Sequence, residues 1–198
     1  WDSAPQVAES WTRVIEEKYQ DINVHITTED MYRVMGKTMD VLGKIIFPDV
    51  EDARREKILL DCYKYENEYL SMHGGKLYPD LEDVWKQLGT DYDLYIVSNC
   101  QTGYIEAFLD FFGFRHYIKD MECYGNTGKN KGYNIRLVVE RNQIKDPVYV
   151  GDIEGDYEAS KEAGVKFIHA AYGFGTIDAK VPEISTFAEL TQVVPQVI

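Results

Sequence analysis

Asp152 and Asp156 stand four positions apart, after the apolar run Val148-Tyr149-Val150-Gly151 and before a helix-like segment from Tyr157 to Ala163. A β-rich run that stops at a glycine reads as a buried strand that delivers Asp152 to its C-terminal tip. Gly155 offers a tight turn, and Asp156 falls where the helix begins. In open α/β sheets ligands gather at the carboxyl ends of strands. Two carboxylates there suit a hard cation such as Mg2+, which takes oxygen ligands and keeps several waters beside a phosphate. The same spacing also describes a strand end followed by a helix cap, because aspartate is a favoured capping residue.

Two further stretches could add to such a site. Ser98-Asn99 ends the apolar run Leu94-Tyr95-Ile96-Val97, where a hydroxyl and an amide could hold phosphate oxygens; Ser and Asn equally favour a simple turn. Lys129-Asn130-Lys131-Gly132 precedes a helix-like segment. A lysine at a helix N-terminus works against the macrodipole, so Lys129 and Lys131 either answer a local anion or face solvent. The order Ser-Asn, then lysine, then the acidic pair places each group at a successive strand end or helix start.

The elements that must position these groups fall into two textures. From Ser3 to Gly75 the pattern is helical, and we take residues 1–75 as a small all-helical unit. Ser3-Ala4-Pro5-Gln6 has the form of a capping box with proline in the first turn, and Val7, Trp11, Val14 and Ile15 follow at helical spacing. Thr27-Thr28-Glu29-Asp30 opens a second helix that Gly36 ends. Thr38 to Ile46 is a third, carrying Val41, Leu42 and Ile45. Asp49 can cap a long fourth, with Ile58, Cys62, Tyr65 and Tyr69 on one face. Gly36-Lys37-Thr38, between two of these helices, is a candidate substrate contact or an ordinary turn with a solvated lysine.

Residues 76–198 alternate. Helical patterns at Asp80–Leu88, at Ile105–Phe112 capped by Thr102, at Gly132–Arg141, at Gly155–Ala163 and after Thr186 separate strand patterns at Leu94–Ser98, Tyr117–Cys123, Val148–Val150 and Val165–Ala171. Strands alternating with helices of this length predict an α/β fold, a parallel sheet with helices on both faces.

The chain has 198 residues, enough for one generous domain or one with a small appendage. Its hydrophobic share of 44% argues against disorder. A formal net charge of -13 argues against nucleic acid and anionic membranes as partners. A phosphate substrate would therefore need local positive charge, from a metal or a few lysines. Cys62, Cys100 and Cys123 show neither metal-ligand spacing nor a disulfide framework, which fits a reducing cytoplasm. No run approaches transmembrane length, and nothing at the start reads as a signal peptide.

The motif order resembles the haloacid dehalogenase (HAD) superfamily, its phosphoglycolate-phosphatase-like branch in particular, over nearly the whole chain. In that family a strand ends in Ser or Thr, here Ser98, often followed by Asn, here Asn99. A lysine then precedes a helix, here Lys129 or Lys131. A Gly-Asp with a second Asp follows, here Gly151-Asp152 and Asp156. Leu77-Tyr78-Pro79 looks like the family's entry into its core. The resemblance implies a Rossmann-like, three-layer parallel-sheet core with a helical cap that closes over the site. It also implies an Mg2+-dependent phosphatase acting on a small phosphorylated metabolite through a phospho-aspartate, in a monomer or weak homodimer.

Asp152 would ligate the metal with Asp156 in support, while Ser98, Asn99 and the lysine would hold phosphate and balance charge. The family's first strand ends in Asp-x-Asp-Gly-Thr, usually followed by Asp-Ser, and Asp2-Ser3 look like that trailing pair. The expectation is that the nucleophilic Asp and its strand lie upstream of Trp1, that residues 1–198 alone are inactive, and that a strand-wide gap lies beside Val148–Gly151. Alternatives are a phosphomutase on the same scaffold, a dehalogenase, for which the acidic pair has little use, or a non-catalytic binding or regulatory module.

Overall fold

A computed structural model describes residues 1–198. The helices are α1 (Ala4–Lys18), α2 (Thr28–Val34), α3 (Met39–Ile46), α4 (Asp52–His73), α5 (Leu81–Leu88), α6 (Tyr104–Phe112), α7 (Tyr124–Thr127), α8 (Lys131–Arg141), α9 (Glu154–Ala163) and α10 (Leu190–Val197). The strands are β1 (Leu94–Ser98), β2 (Ile118–Cys123), β3 (Val148–Gly151), β4 (Lys166–Ala170) and β5 (Glu183–Ile184). The chain packs as two compact units, Trp1–Leu77 with Cys100–Arg115, and Tyr78–Asn99 with His116–Ile198.

The first unit is helical because its apolar residues recur at helical spacing and bury one face of each element. In α1, Val7, Trp11, Val14 and Ile15 are buried. The Trp11 ring lies parallel to Phe47 at 6.2 Å and meets Tyr63 edge-on at 5.5 Å. Thr27 and Asp30 form the capping box of α2. Three local expectations change. Ser3 does not cap α1: its hydroxyl pairs with that of Tyr104, and Asp2 accepts the Ala4 amide instead. Glu51, not Asp49, caps α4 by accepting the Arg54 amide. On α3, Val41 and Ile45 are exposed, because Gly43 and Ile46 form the buried face, with Gly43 against Leu59.

Glu66 of α4 is buried at the centre of this unit. It accepts from Trp11 Nε1 at 2.6 Å and from Gln101 Nε2 at 2.8 Å. Asn67 accepts from Gln101 and donates to the Thr102 carbonyl. Thr102 does not cap α6 because it lies one residue before the N-cap position, which Gly103 occupies. The chain instead enters the helix through Gly103 at φ +93°, a region that favours glycine.

The second unit is α/β and Rossmann-like, and every strand pairing in it is parallel. Side chains alternate across the strands, as pleating requires. Ile168 and Ala170 of β4 pack with Ile184, Val84 and Leu88 of α5, and Leu190 and Val194 of α10. Phe167 of β4 points the other way, meeting Tyr149 of β3 and Tyr157 of α9. Helices thus cover both faces, in three layers. The two-residue β5 and one-turn α7 are too short to leave a periodic signal. Gly155 has no positive φ and lies within the first turn of α9, so the expected tight turn is not there.

The sheet is not continuous. β1 pairs with β2, and β3, β4 and β5 pair in that order, but β1 and β3 share no ladder. Between them lies a cavity of about 670 Å3, lined by Leu94–Val97, by Val148–Val150 and by α8 residues including Ile135 and Val138. A single side chain bridges the two strands: the Tyr149 hydroxyl donates to the Val97 carbonyl at 3.0 Å. The space lies beside Val148–Gly151, partly open to solvent, between two parallel strands whose facing edges are unpaired.

Glu66 gives the first testable consequence. Burial pushes its carboxyl up from 4.5 to about 7, and the two donors offset this only in part. The folded state then holds the proton more tightly than the unfolded chain, so stability falls as pH rises from 4.5 through 7 and levels off above. The full shift corresponds to about 3 kcal/mol. E66Q is expected to flatten this slope. Urea unfolding followed by tryptophan fluorescence at pH 5 and pH 8 checks it: equal losses in both proteins would show that Glu66 is not the group responsible.

Candidate functional site

The turn from β3 into α9 is built around Asp156. Its Oδ2 accepts from the Asp152 amide at 3.0 Å and the Ile153 amide at 3.4 Å, two of the donors a helix start leaves unpaired. This close return requires glycine at 151, where a Cβ would lie 2.4 Å from Asp156 Cβ. The other oxygen, Oδ1, receives Lys131 Nζ in an ion pair whose two side chains are both about nine-tenths buried or more.

Lys131 is placed by its own element. Asn130 caps α8, accepting the Tyr133 amide at 2.9 Å. Asn134, fully buried, accepts from the Thr127 hydroxyl and donates to the Lys129 carbonyl. The loop is therefore fixed at the point where Lys131 leaves for Asp156. Lys129 is exposed. Of the two lysines open from the sequence, the structure brings Lys131 to the aspartates and leaves Lys129 at the surface.

Burial alone would lower Lys131; the oxygens of Tyr149 and Asp156 more than offset it and hold the ammonium above its ordinary range. Asp156 is buried as well, yet Lys131 and the two amides keep its carboxyl below the usual value. Asp152 behaves oppositely. Burial raises its carboxyl, opposed by the Phe174 amide, which donates to Oδ2 at 2.6 Å, and reinforced by the Asp156 charge. Its Oδ1 accepts no hydrogen bond. Lys131 is already neutralised by Asp156, so the ionised Asp152 adds a negative charge with no cation of its own.

A partly buried carboxylate with one unengaged oxygen at a strand end suits a hard cation. Asp156 is saturated by Lys131 and two amides, which suits it to holding the turn rather than ligating. No three His, Cys, Asp or Glu side chains cluster closely enough to hold a metal by themselves. Asp152 could therefore supply only one ligand of a metal's shell.

Ser98 and Asn99 occupy the end of β1, both half-buried, with Ser98 in register with Cys123 of β2. The Tyr149–Val97 bond ties that strand end toward β3. Gly36-Lys37-Thr38 is an exposed turn between α2 and α3, and Gly36 has φ +79°. Two participants escaped the sequence reading. Tyr149 passed for a strand residue, and the Phe174 amide has no side-chain signature, although glycines at 173 and 175 flank it.

The buried pair predicts an asymmetry between the lysines. D156N leaves Lys131 charged and buried without its counter-ion, so it should destabilise the protein by about 3–5 kcal/mol. K129M, at an exposed site, should change stability by less than about 0.5 kcal/mol. Denaturant unfolding of both variants measures this, and equal effects would refute the assignment.

The model of the haloacid dehalogenase-like hydrolases matches residues 1–170. None of the curated proteins matches. Similar solved structures include a Bacteroides fragilis protein assigned to the haloacid dehalogenase-like hydrolases, with a TM-score of 0.81 at 20% identity over 96% of this chain and 93% of that one. A predicted phosphoglycolate phosphatase from Haemophilus somnus gives 0.79 at 19% identity, covering 97% and 92%. CbbY from Rhodobacter sphaeroides, solved in complex with phosphate, gives 0.77 at 15% identity, covering 96% and 90%. No helix is long and apolar enough to cross a membrane.

Proposed function

The chain belongs to the haloacid dehalogenase-like hydrolases, and on that footing we propose that it is the greater part of an Mg2+-dependent phosphatase. It would hydrolyse a small phosphomonoester through a phospho-aspartate. The observation that carries this reading is the buried Lys131–Asp156 pair beside Asp152, whose second oxygen and charge are unanswered. The cavity between β1 and β3 supports the remaining part. A strand from the segment upstream of Trp1 would fill it and bring its own aspartates to the end of the sheet where Ser98 and Asp152 stand.

An aspartate of that strand would attack phosphorus as the bond from phosphorus to the leaving oxygen breaks, and the alcohol would depart with a proton from the acid/base aspartate of the same motif. Water then attacks the acyl phosphate and releases orthophosphate, so one difficult step becomes two. Asp152, through its open oxygen, would help hold Mg2+, which supplies charge neutralisation between nucleophile and phosphate. Lys131, its charge shared with Asp156, would still donate to a phosphate oxygen through the ammonium hydrogens not given to Asp156. Ser98 and Asn99 would take phosphate oxygens through a hydroxyl and an amide. Asp156 keeps Lys131 and the Asp152 backbone in place. A small phosphorylated metabolite suits a chain whose overall charge repels larger polyanions. Three free cysteines, two of them buried, suit the cytoplasm.

The protein extended by the residues that naturally precede Trp1 should hydrolyse p-nitrophenyl phosphate only with Mg2+ present, and chelation should abolish turnover. D152N should reduce activity at least 100-fold, and K131M likewise, whereas K129M should retain it. Absence of turnover across a panel of small phosphomonoesters would sink the proposal.

A further inference from the structure

The segment after β4 runs Ala171-Tyr172-Gly173-Phe174-Gly175 and packs directly onto Asp152. The Phe174 amide donates to Asp152 Oδ2 at 2.6 Å. Gly173 comes so close that a Cβ there would lie 2.3 Å from Asp152 Cβ and 2.4 Å from Oδ2. At Gly175 a Cβ would meet Ile153 Cγ2 at 2.8 Å and the Asp152 carbonyl oxygen at 3.1 Å. Gly173 has no positive φ, so what demands glycine there is space and not backbone conformation. The contact is with the root of the Asp152 side chain, which cannot swing aside as a flexible tip could. The turn is itself anchored: the Gly173 amide donates to the Ala170 carbonyl at 3.0 Å, and Tyr172 meets Tyr78 edge-on at 4.9 Å.

We propose that the Gly173-Phe174-Gly175 turn is a positioning and cation-selecting clasp, which occupies one oxygen of Asp152 and leaves only the other for the metal. The inference rests on the reading of Asp152 as a metal-facing carboxylate. A carboxylate held in this way offers a single oxygen. Mg2+ accepts near-octahedral coordination with one oxygen per carboxylate, whereas Ca2+ takes six to eight oxygens and uses carboxylates that chelate with both. The clasp thus favours the smaller ion without any side chain of its own touching it. Gly173 and the Phe174 amide act through Asp152 and are positioning groups.

Calorimetric titration of the N-terminally extended protein with MgCl2 and with CaCl2 tests this. G173A pushes a methyl into Asp152, and F174P removes the donor while keeping Gly173. Each is expected to weaken Mg2+ binding at least tenfold and to narrow the preference for Mg2+ over Ca2+ at least tenfold. Turnover should recover in excess Mg2+, which a merely structural role would not predict. Folded variants with the natural affinity and preference would overturn the clasp while leaving the function proposed for the site intact. An unsubstituted protein that binds no Mg2+ would overturn both. Should either variant fail to fold, the Phe174 amide in the unsubstituted protein still decides. It should resonate downfield, be protected from exchange and move upfield in D152N; an amide indifferent to D152N overturns the clasp.

Discussion

A single carboxylate carries the second unit. Asp156 ends two unpaired amides at the start of α9 and neutralises the only cation buried beside it, Lys131 of α8. Charges in so enclosed a place are tolerated only when paired and hydrogen-bonded. Because both oxygens of Asp156 are committed, β3, α8 and α9 must meet at one fixed point. That meeting leaves Asp152, the neighbour in the turn, to carry a charge that nothing else in the group answers. One residue holds the turn and the other keeps an unengaged oxygen, and the sequence spacing alone does not say which is which.

The same economy appears at the sheet. The facing edges of β1 and β3 have no ladder between them, and the side chain of Tyr149 reaches across to one main-chain carbonyl. Backbone donors and acceptors removed from water need partners, and the apolar walls of the cavity, from Ile96 to Val150, are of the kind that a strand covers on both sides.

Much of this was legible in the residues. Apolar periodicity located nearly every helix and four of the five strands, because those elements bury one face each and their spacing records it. The polar groups at the strand ends were legible for a similar reason: Ser98-Asn99 and Gly151-Asp152 interrupt apolar runs. Caps were less so. Ser3 and Thr102 have capping residue types but do not cap: the Ser3 hydroxyl goes to Tyr104, 101 residues away in the chain, and Thr102 lies one residue before the N-cap Gly103. The choice between Lys129 and Lys131 was closed to the sequence for a different reason. It depends on where the first turn of α8 points, which Asn130 and Asn134 decide. The Phe174 amide was invisible because a main-chain donor has no residue type; only the flanking glycines hinted at it.

Asp2 and Lys76 exchange two main-chain hydrogen bonds, at 2.7 and 2.8 Å, in an isolated antiparallel bridge. The helical excursion from α1 through α4 therefore leaves and returns at one spot. A segment whose two ends meet can change in length without moving the chain at its ends apart, although Glu66 and Asn67 of α4 also hold Gln101 and Thr102. The residues around Asp156 have no such freedom, because charge and space bind them to one another.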